Sequence, residues 1–279
     1  MSASTTHEPL ETLPAGIPRA AAHDRLLASV GHERIGRFAA RFRERHLART
    51  AKDPFRQWSR GWEYPFAAAA LQDGLAGVER PRVLEAGCGF TFFPYLLTEL
   101  VPGIEITGVD AQPGLADAFV EARGEPGAGA IGFRTGDLAR LPDEAGAFDA
   151  VACISVLEHV DEPATVLREM RRVLRPGGLQ VLTFDIAIDS DYAIPVDRAQ
   201  EVLRELGRLF PDTPVPGHDD LRAELAAEPP LTTRRAAARD RASMPWAGPL
   251  MSTLGSLRHG YLPRSFGYRN LTVWCGALR

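Results

Sequence analysis

The stretch "RPRVLEAGCGFTFFPYL", residues 80–96, determines how the rest of the chain is interpreted. A buried strand pattern ends at Glu85, and an apolar helical pattern follows directly after a turn. Gly87 and Gly89 in that turn carry no Cβ atom, so the backbone can bend tightly and a ligand can approach it closely. This order of strand, glycine turn and helix predicts the first unit of an open parallel sheet, whose ligands bind beyond the carboxyl ends of the strands.

Strand patterns continue beyond this unit, from residue 81 to about residue 186. Most are separated by helical patterns, and one more strand pattern closes the chain; in order they are "RVLEAG", "IEITGVD", "IGFRTGD", "FDAVACIS", "LQVLTFD" and "NLTVWCGAL". Because strands joined by helices form right-handed crossovers, this alternation predicts an α/β fold with a parallel sheet covered on both faces.

The regions around this alternating core differ in composition and suggest five parts. Residues 1–24 are polar, contain three prolines and are predicted to form a mobile arm. Residues 25–80 are predicted to form an N-terminal helical cap, and residues 81–186 the ligand-binding core. Residues 187–265 are helical patches broken by prolines, predicted to form a substrate lid, and residues 266–279 supply the final strand of the sheet.

Composition excludes several classes of protein. No run of about 18 apolar residues and no secretory signal occurs, so we expect a cytoplasmic protein without a membrane partner. The net charge is −4 and Lys52 is the only lysine, so the many arginines reflect a composition bias, and no nucleic-acid partner is expected. The three cysteines, Cys88, Cys153 and Cys275, lie far apart in apolar surroundings and predict neither a disulfide framework nor a zinc site.

Three carboxylates lie at the ends of three successive strand patterns. Glu85 suits a cation or a hydroxyl donor better than a phosphate, and Phe92 stands where a dinucleotide-binding loop requires a third glycine. Asp110, about 20 residues beyond the glycine turn, can accept both hydroxyls of a ribose. Asp137 can accept from an exocyclic amine such as that of adenine. A ligand with a cationic amino acid portion, a ribose and an adenine fits all three, and S-adenosylmethionine is such a ligand. Singly, these acids could be helix caps and the glycines only a turn.

Five motifs in order carry a resemblance to a known family: "VLEAGCGFT", "GVD", "GDLARLP", "FDAVACISVLEHVDEP" and "LREMRRVLRPGGLQVLTFD". Over roughly residues 60–186 the chain resembles the class I S-adenosylmethionine-dependent methyltransferases. The resemblance implies a Rossmann-like, mostly parallel sheet of seven strands. It also implies a set of cofactor-binding residues: Glu85, Gly87, Gly89, Asp110, Asp137, Leu138, Ile154 and Ser155. The sequence departs from the family at Thr91, where many members carry a third glycine.

Catalytic residues are harder to identify, because a general base is needed only when the nucleophile must lose a proton. His159 in "SVLEHVDEP" and Asp185 at the end of "LTFD" are the candidates, although a histidine in this stretch is often structural. Asp185, Asp189 and Asp191 form an acidic run that resembles a solvated loop more than a metal site, so no metal is expected.

Substrate-binding residues are expected in the cap and the predicted lid. Six aromatic or histidine side chains are the candidates: Trp58, Trp62, Tyr64, Tyr192, His218 and His259. The cap aromatics could wall a substrate pocket, or they could equally form the core of the helical cap.

The resemblance implies methyl transfer to an oxygen, nitrogen or carbon atom of a small molecule, in biosynthesis and specifically in specialised metabolism. A lid over the cofactor favours a small substrate, since lids exclude water from the reaction. The protein could act as a monomer, as a homodimer or with a partner protein of its pathway. Two alternatives stay open: a cofactor-dependent fold that catalyses a ring closure by displacement of a leaving group, and a non-catalytic cofactor-binding partner.

Overall fold

The structure is a computed structural model that describes residues 9–46, 57–189, 193–239 and 270–279. Seven strands lie in these ranges: β1 (Arg82–Ala86), β2 (Glu105–Asp110), β3 (Ile131–Thr135), β4 (Phe148–Ile154), β5 (Leu174–Ala187), β6 (Ile194–Pro195) and β7 (Leu271–Leu278). They form one sheet in the order β3-β2-β1-β4-β5-β6, with β7 also paired to β5. All pairs are parallel except β5 with β7, so the predicted mostly parallel, seven-stranded fold class is confirmed.

Nine helices accompany the sheet within the described ranges: α1 (Ala20–Leu27), α2 (Val30–Arg45), α3 (Arg60–Gly74), α4 (Phe93–Leu100), α5 (Leu115–Glu121), α6 (Pro163–Val173), α7 (Val196–Leu209), α8 (Leu221–Ala227) and α9 (Thr233–Arg239). Local sequence explains several of their starts. The Ser29 side chain caps α2, and α6 begins at a proline, whose missing N–H costs nothing in a first turn. No described helix has both the length and the apolar character needed to cross a membrane.

The two faces of the sheet have separate cores. Helices α3 and α4 pack on one face, which we call the cap face, while α6 and α7 pack on the opposite, second face. Side chains of β5 alternate between them, as expected for a strand buried on both sides. Val181 belongs to the core of the cap face, and Leu182 and Phe184 belong to that of the second face. Thr183 and Asp185 follow Val181 at two-residue steps, so they point toward α3.

The predicted mobile arm requires correction over its described part. Leu10, Leu13 and Ile17 are buried, and Gly16 exchanges two backbone hydrogen bonds with Cys275 of β7, at 2.7 and 3.0 Å. Beyond β5, strand β7 has no further named strand at its side, and an uncovered edge leaves backbone groups without partners. The arm supplies some of those partners, which its polar and proline-rich composition did not reveal.

The predicted lid at residues 187–265 also differs from expectation. Helix α7 covers the second face of the sheet, with Val202, Leu203 and Leu206 buried in the same core as Trp274. The apolar stripe of α7 is buried against the sheet, and α8 packs against α7. Among the described residues of this region, Leu231 and α9 reach the cap face, where the indole N–H of Trp58 donates to the Thr233 hydroxyl at 3.2 Å. Residues 190–192 and 240–269 lie outside the described ranges.

Candidate functional site

The glycine turn after β1 has a backbone that other residues would strain. Gly87 has a φ of 70°, and a Cβ atom there would lie 2.6 Å from Cγ1 of Val156 and closer still to its Cγ2. Gly89 has a φ of 51°, and its N–H donates to Oδ2 of Asp110 at 2.9 Å. The Gly87 N–H donates to the carbonyl of Val109 at 2.8 Å. The turn is therefore tied to the end of β2; the positive φ favours glycine at both positions, and lack of space also requires it at Gly87.

Two of the predicted carboxylates organise the loops that follow β2 and β3. Asp110 accepts from the Gln112 N–H through Oδ1 at 2.8 Å, and Asp137 accepts from the Ala139 N–H through Oδ1 at 2.9 Å. Such bonds to the backbone two residues on form tight turns. A cleft of about 610 Å³ lies between these loops and is lined by Gly87, Asp110, Ala111, Gln112, Asp137, Leu138, Ala139, Ser155, Val156, His159, Val160, Asp161, Glu162 and Val166. The structure thus brings five predicted cofactor residues to one cleft.

Glu85 is buried behind the glycine turn. Only 5% of the residue is exposed, and its Oε2 has no hydrogen-bond partner among the described residues. Burial raises the pKa of Glu85 to about 8, and the charge on Asp110 adds to this effect. A buried carboxyl group with a free acceptor atom is costly unless a donor or cation meets it. The group is therefore suited to a cationic part of a ligand.

Thr91, the residue that departs from the family pattern, has a local role. Its hydroxyl accepts from the Phe93 N–H at 3.2 Å, at the start of α4. Tyr64 of α3, whose pKa is raised to about 12 chiefly by burial, packs against the neighbouring Phe92 with ring centroids 4.8 Å apart. The start of α4 is therefore in contact with the cap.

Ser155 connects the cleft to the interior beneath α3. Its φ is 51°, an uncommon conformation for a residue other than glycine and one associated with functional sites. Its N–H donates to the carbonyl of Thr183 at 3.0 Å, and its hydroxyl donates to Oε1 of Glu63 at 2.5 Å. Ile154, the preceding residue, is partly buried against the core of the cap face.

Glu63 and Arg60 are site residues that the sequence interpretation missed. Glu63 is fully buried; its Oε1 also accepts from the Thr183 hydroxyl at 2.6 Å, and its Oε2 accepts from Nη1 of Arg60 at 2.5 Å. The same Arg60 nitrogen donates to the Ser155 hydroxyl. A signal was available: this basic and acidic pair at i, i+3 lies inside the aromatic stretch "WSRGWEYPF", where charged side chains need partners if the helix is buried.

Asp185 and Glu158 complete a cluster that we call the acidic recess, consisting of Arg60, Glu63, Glu158 and Asp185. Asp185 is 6% exposed, and its Oδ1 lacks a partner in the described structure, as do both buried carboxylate oxygens of Glu158. Burial raises the pKa of Asp185 to about 7; the Glu63 charge adds to this effect and the Arg60 charge opposes it. Burial, and next the charge on Asp185, raise the pKa of Glu158 well above its ordinary value. The recess thus contains three carboxyl groups and one guanidinium group, and that guanidinium is paired with Glu63.

His159, the other candidate base, lines the cleft. Partial desolvation, followed by the charge on Arg60, lowers its pKa. A neutral imidazole at this position can accept a proton. His159 and Asp185 therefore belong to neighbouring parts of one site, the cleft and the recess.

The predicted substrate-binding aromatics are mostly core residues. Trp58 and Trp62 are buried, the latter completely, in the core of the cap face, so the core alternative describes them. Tyr64 is buried between Phe92 and Phe93, with ring centroids 4.8 and 5.2 Å away.

The predicted histidine contacts are not found at the cleft. His218 packs near Gly207 in the last turns of α7, its Nδ1 is 3.1 Å from the carbonyl of Val215, and it does not line the cleft. The contact with Gly207 places it against α7. Tyr192 and His259 lie outside the described residues.

The acidic run after β5 does not form a cluster in the part that the structure describes. Asp189 pairs with Nη1 of Arg234 at 2.8 Å and accepts from the Asn270 N–H at 3.2 Å. Asp191 lies outside the described ranges. Within those ranges, no group of three or more His, Cys, Asp or Glu side chains has an arrangement that could hold a metal ion.

Comparisons with known proteins agree on one domain. A family model described as "Methyltransferase domain" matches residues 84–182. The ubiquinone biosynthesis O-methyltransferase of Xanthomonas oryzae pv. oryzae is 31% identical over 135 residues, which cover 48% of this chain and 54% of the relative. An O-methyltransferase of Aspergillus nomiae is 32% identical over 158 residues, which cover 56% of this chain and 66% of the relative. The chain spans about half the length of most of the curated relatives it matches.

Among solved structures, the crystal structure of the cyclase SpnF is similar at 21% identity. The TM-score is 0.48, and the match covers 80% of this chain and 82% of that chain.

Proposed function

The chain belongs to the class I S-adenosylmethionine-dependent methyltransferases through its methyltransferase domain at residues 84–182, and we propose that it transfers the cofactor's methyl group to a small-molecule nucleophile. One observation carries this proposal. Glu85, Asp110 and Asp137 stand at the ends of three adjacent parallel strands, and the latter two line a single cleft beside the glycine turn. Ligands of open parallel sheets bind at this edge.

The residues present fit S-adenosylmethionine. The unpartnered, buried Oε2 of Glu85 suits the cationic amino group of the methionine part. Asp110 would accept from the ribose hydroxyls, while Asp137 and the buried side chain of Leu138 would hold the adenine. Gly89 presents backbone to the ligand, because a Cβ there would meet nothing nearer than the Thr91 methyl at 3.9 Å. Gly87, Ile154 and Ser155 would shape the backbone beside the methionine part.

When bound, the cofactor supplies a methyl group on a sulfonium, which is already a strong electrophile. The protein's contribution is then to align the nucleophile, exclude water and accept a proton where one must be lost. We propose Asp185 as the proton acceptor, since it lies in the acidic recess that adjoins the cleft through Ser155. His159, which lines the cleft itself, is the second candidate.

The cap forms part of the proposed acceptor site. Arg60 and Glu63 of α3 contact Ser155, which follows β4, and Glu63 also contacts Thr183 of β5, so α3 lies beside the cleft at Ser155. Trp58 joins this helix to α9. We propose that the cap and α9 together enclose a small substrate. The curated relatives named as O-methyltransferases, in ubiquinone biosynthesis among others, support a small-molecule acceptor in biosynthesis.

A three-part experiment tests the proposal. Mass spectrometry should identify S-adenosylmethionine or its demethylated product, S-adenosylhomocysteine, in the purified protein, and calorimetry should measure the affinity for that product. Incubation with a methyl-labelled cofactor and pooled small metabolites should then yield labelled small molecules. A bound cofactor that is never consumed would instead support the ring-closing or the non-catalytic alternative. Absence of any binding would contradict the proposed function altogether.

Replacing Asp110 with alanine should weaken the binding of S-adenosylhomocysteine more than tenfold, about 1.4 kcal/mol. The change removes the proposed ribose acceptor and releases the N–H groups of Gly89 and Gln112. Calorimetry measures the effect, and thermal unfolding checks that the variant folds. The matched control is Asp117→Ala, an exposed acid on α5 away from the cleft. Equal affinities for the folded Asp110 variant and the control would refute the assignment.

The raised pKa of Glu85 predicts a pH dependence. Its folded value, about 8, exceeds its ordinary value of 4.5, so the folded state keeps a proton that the unfolded state loses. The stability that this proton contributes is fully present below the ordinary value and is lost as the pH rises through about 8. Urea unfolding of the ligand-free protein should therefore show a falling free energy of unfolding across that window. Glu85→Gln should flatten the fall, whereas Glu105→Gln, at a largely exposed position, should not.

A further inference from the structure

We propose that the acidic recess is the acceptor subsite and that it takes a substrate whose methyl-accepting atom is an amine nitrogen, bound as an ammonium group. This inference rests on the proposed function and deepens it, because it names the chemical class of the acceptor. Its observations come from α3, β5 and the turn after β4, and of these residues only Ser155 also entered the assignment of the cofactor residues.

The recess adjoins the cleft through one residue. Ser155 lines the cleft, while its hydroxyl donates to Glu63 inside the recess. Thr183 donates to the same Glu63 oxygen, and Asp185 follows Thr183 by two positions on the cap face of β5. Asp185 therefore lies on the same face of β5 as Thr183, which shares its Glu63 partner with the cleft residue Ser155.

Two of the three carboxyl groups in the recess have buried oxygen atoms without a partner among the described residues. The Glu63 side chain is 0% exposed, and its carboxylate forms an ion pair with the Arg60 guanidinium at 2.5 Å. Glu63 and Arg60 are therefore partners of each other. Glu158 and Asp185 remain, with buried oxygens that no described residue meets. Buried carboxyl groups without donors or a counter-charge are costly, and that cost indicates a ligand that brings both.

An ammonium group fits this requirement better than a hydroxyl group. It brings a positive charge and up to three N–H donors, whereas a neutral hydroxyl brings one donor and no charge. Glu158 and Asp185 both have carboxyl oxygens without a partner among the described residues, so both can accept a hydrogen bond from the same ammonium group. An amine is therefore the acceptor that the recess is best arranged to hold.

The same pair can prepare the nitrogen for reaction. The ammonium transfers one proton to the Asp185 carboxylate, which becomes a neutral carboxylic acid, and the nitrogen regains its lone pair. That lone pair forms a bond to the methyl carbon as the bond between this carbon and sulfur breaks. The products are a methylated ammonium and a neutral thioether, and Asp185 later returns its proton to water. The pKa of Asp185, raised to about 7, makes it a suitable proton acceptor near neutral pH.

The test uses isotope-labelled methylammonium and labelled methanol, two probes that each have one methyl group and one polar heavy atom and differ in charge and donor number. Saturation-transfer NMR on the protein saturated with S-adenosylhomocysteine should detect methylammonium and not methanol. Asp185→Asn and Glu158→Gln should each reduce the methylammonium affinity at least tenfold. Asp197→Asn, an exposed acid on α7 paired with Arg222, should leave it unchanged. Equal signals for the two probes, or unchanged affinity in both recess variants, would overturn the inference.

A wild-type measurement keeps the test independent of variant folding. Methylammonium binding should strengthen as the pH rises through about 7, because Asp185 then loses its proton, and methanol should show no such change. A methylammonium affinity that does not change with pH would contradict the assignment of the recess as the acceptor subsite. Calorimetric binding of S-adenosylhomocysteine on the same sample separates the two hypotheses. If that product binds and methylammonium does not, only the acceptor class is wrong; if the product does not bind, the proposed function itself fails.

Discussion

Replacing Glu63 with alanine is expected to lower the free energy of unfolding by about 3 kcal/mol, because it breaks a buried ion pair by removing one partner. The change leaves the Arg60 guanidinium, 18% exposed, without the carboxylate at 2.5 Å, and it leaves the hydroxyls of Ser155 and Thr183 without their acceptor. Removing a partner from a buried charge costs far more than removing one from a surface pair. Urea unfolding followed by circular dichroism measures the effect.

Two controls make the Glu63 result specific. Glu33→Ala removes a surface carboxylate from the i, i+4 pair with Arg37 on α2, and it should cost less than about 1 kcal/mol. Glu63→Gln keeps an acceptor oxygen for the two hydroxyls and removes only the charge, so its loss should lie between those of the two alanine variants. A Glu63→Ala variant no less stable than the Glu33→Ala variant would show that the buried network does not stabilise the fold.

Replacing Gly87 with alanine should weaken the binding of S-adenosylhomocysteine more than a hundredfold, about 2.7 kcal/mol. A φ of 70° disfavours alanine by roughly 1–2 kcal/mol. The new methyl group would also overlap both methyl groups of Val156, a residue that lines the cleft. The turn must therefore move, and with it the backbone that faces the ligand. Calorimetry measures the affinity.

Gly177→Ala is the matched control for this variant. Gly177 has a nearly equal φ of 67° in the turn before the buried part of β5, but a Cβ there would meet no atom within 4 Å. It should lose some stability through backbone strain and bind the cofactor product normally. If Gly87→Ala also binds normally while folded, then neither the close approach to Val156 nor the conformation of the turn matters for the ligand.

The fold and the cofactor edge could be predicted because their signals are local. Each strand is a short apolar run with turn residues at its end. The strands and helices from "RVLEAG" to "LQVLTFD" can therefore be recognised from the local sequence. The glycines at the first turn and the acids Asp110 and Asp137 occupy strand ends, and parallel strands bring their carboxyl ends to one edge. Knowledge of the pairing partners was not needed to expect these residues together.

Other features depended on contacts between distant segments. The described part of the arm, from residue 9 onward, packs on the domain because Gly16 meets the edge of β7, more than 250 residues away. Helix α7 covers the second face because its apolar stripe matches Phe184 and Trp274, which a count of prolines does not reveal.

Arg60 and Glu63 show most clearly where the sequence stops being sufficient. Periodicity places both on α3, but it does not say which strand ends this helix will cover. Packing of α3 across β4, β5 and β7 brings Glu63 to Ser155 and Thr183, and the φ of Ser155 turns its hydroxyl toward the carboxylate. The sequence by itself determined the parallel sheet, the glycine turn and the acids at the strand ends, since each of these features depends on a few neighbouring residues. Only the tertiary structure decided that a buried charge pair from the cap meets Asp185 and Glu158, because that meeting depends on how a helix lies on a sheet.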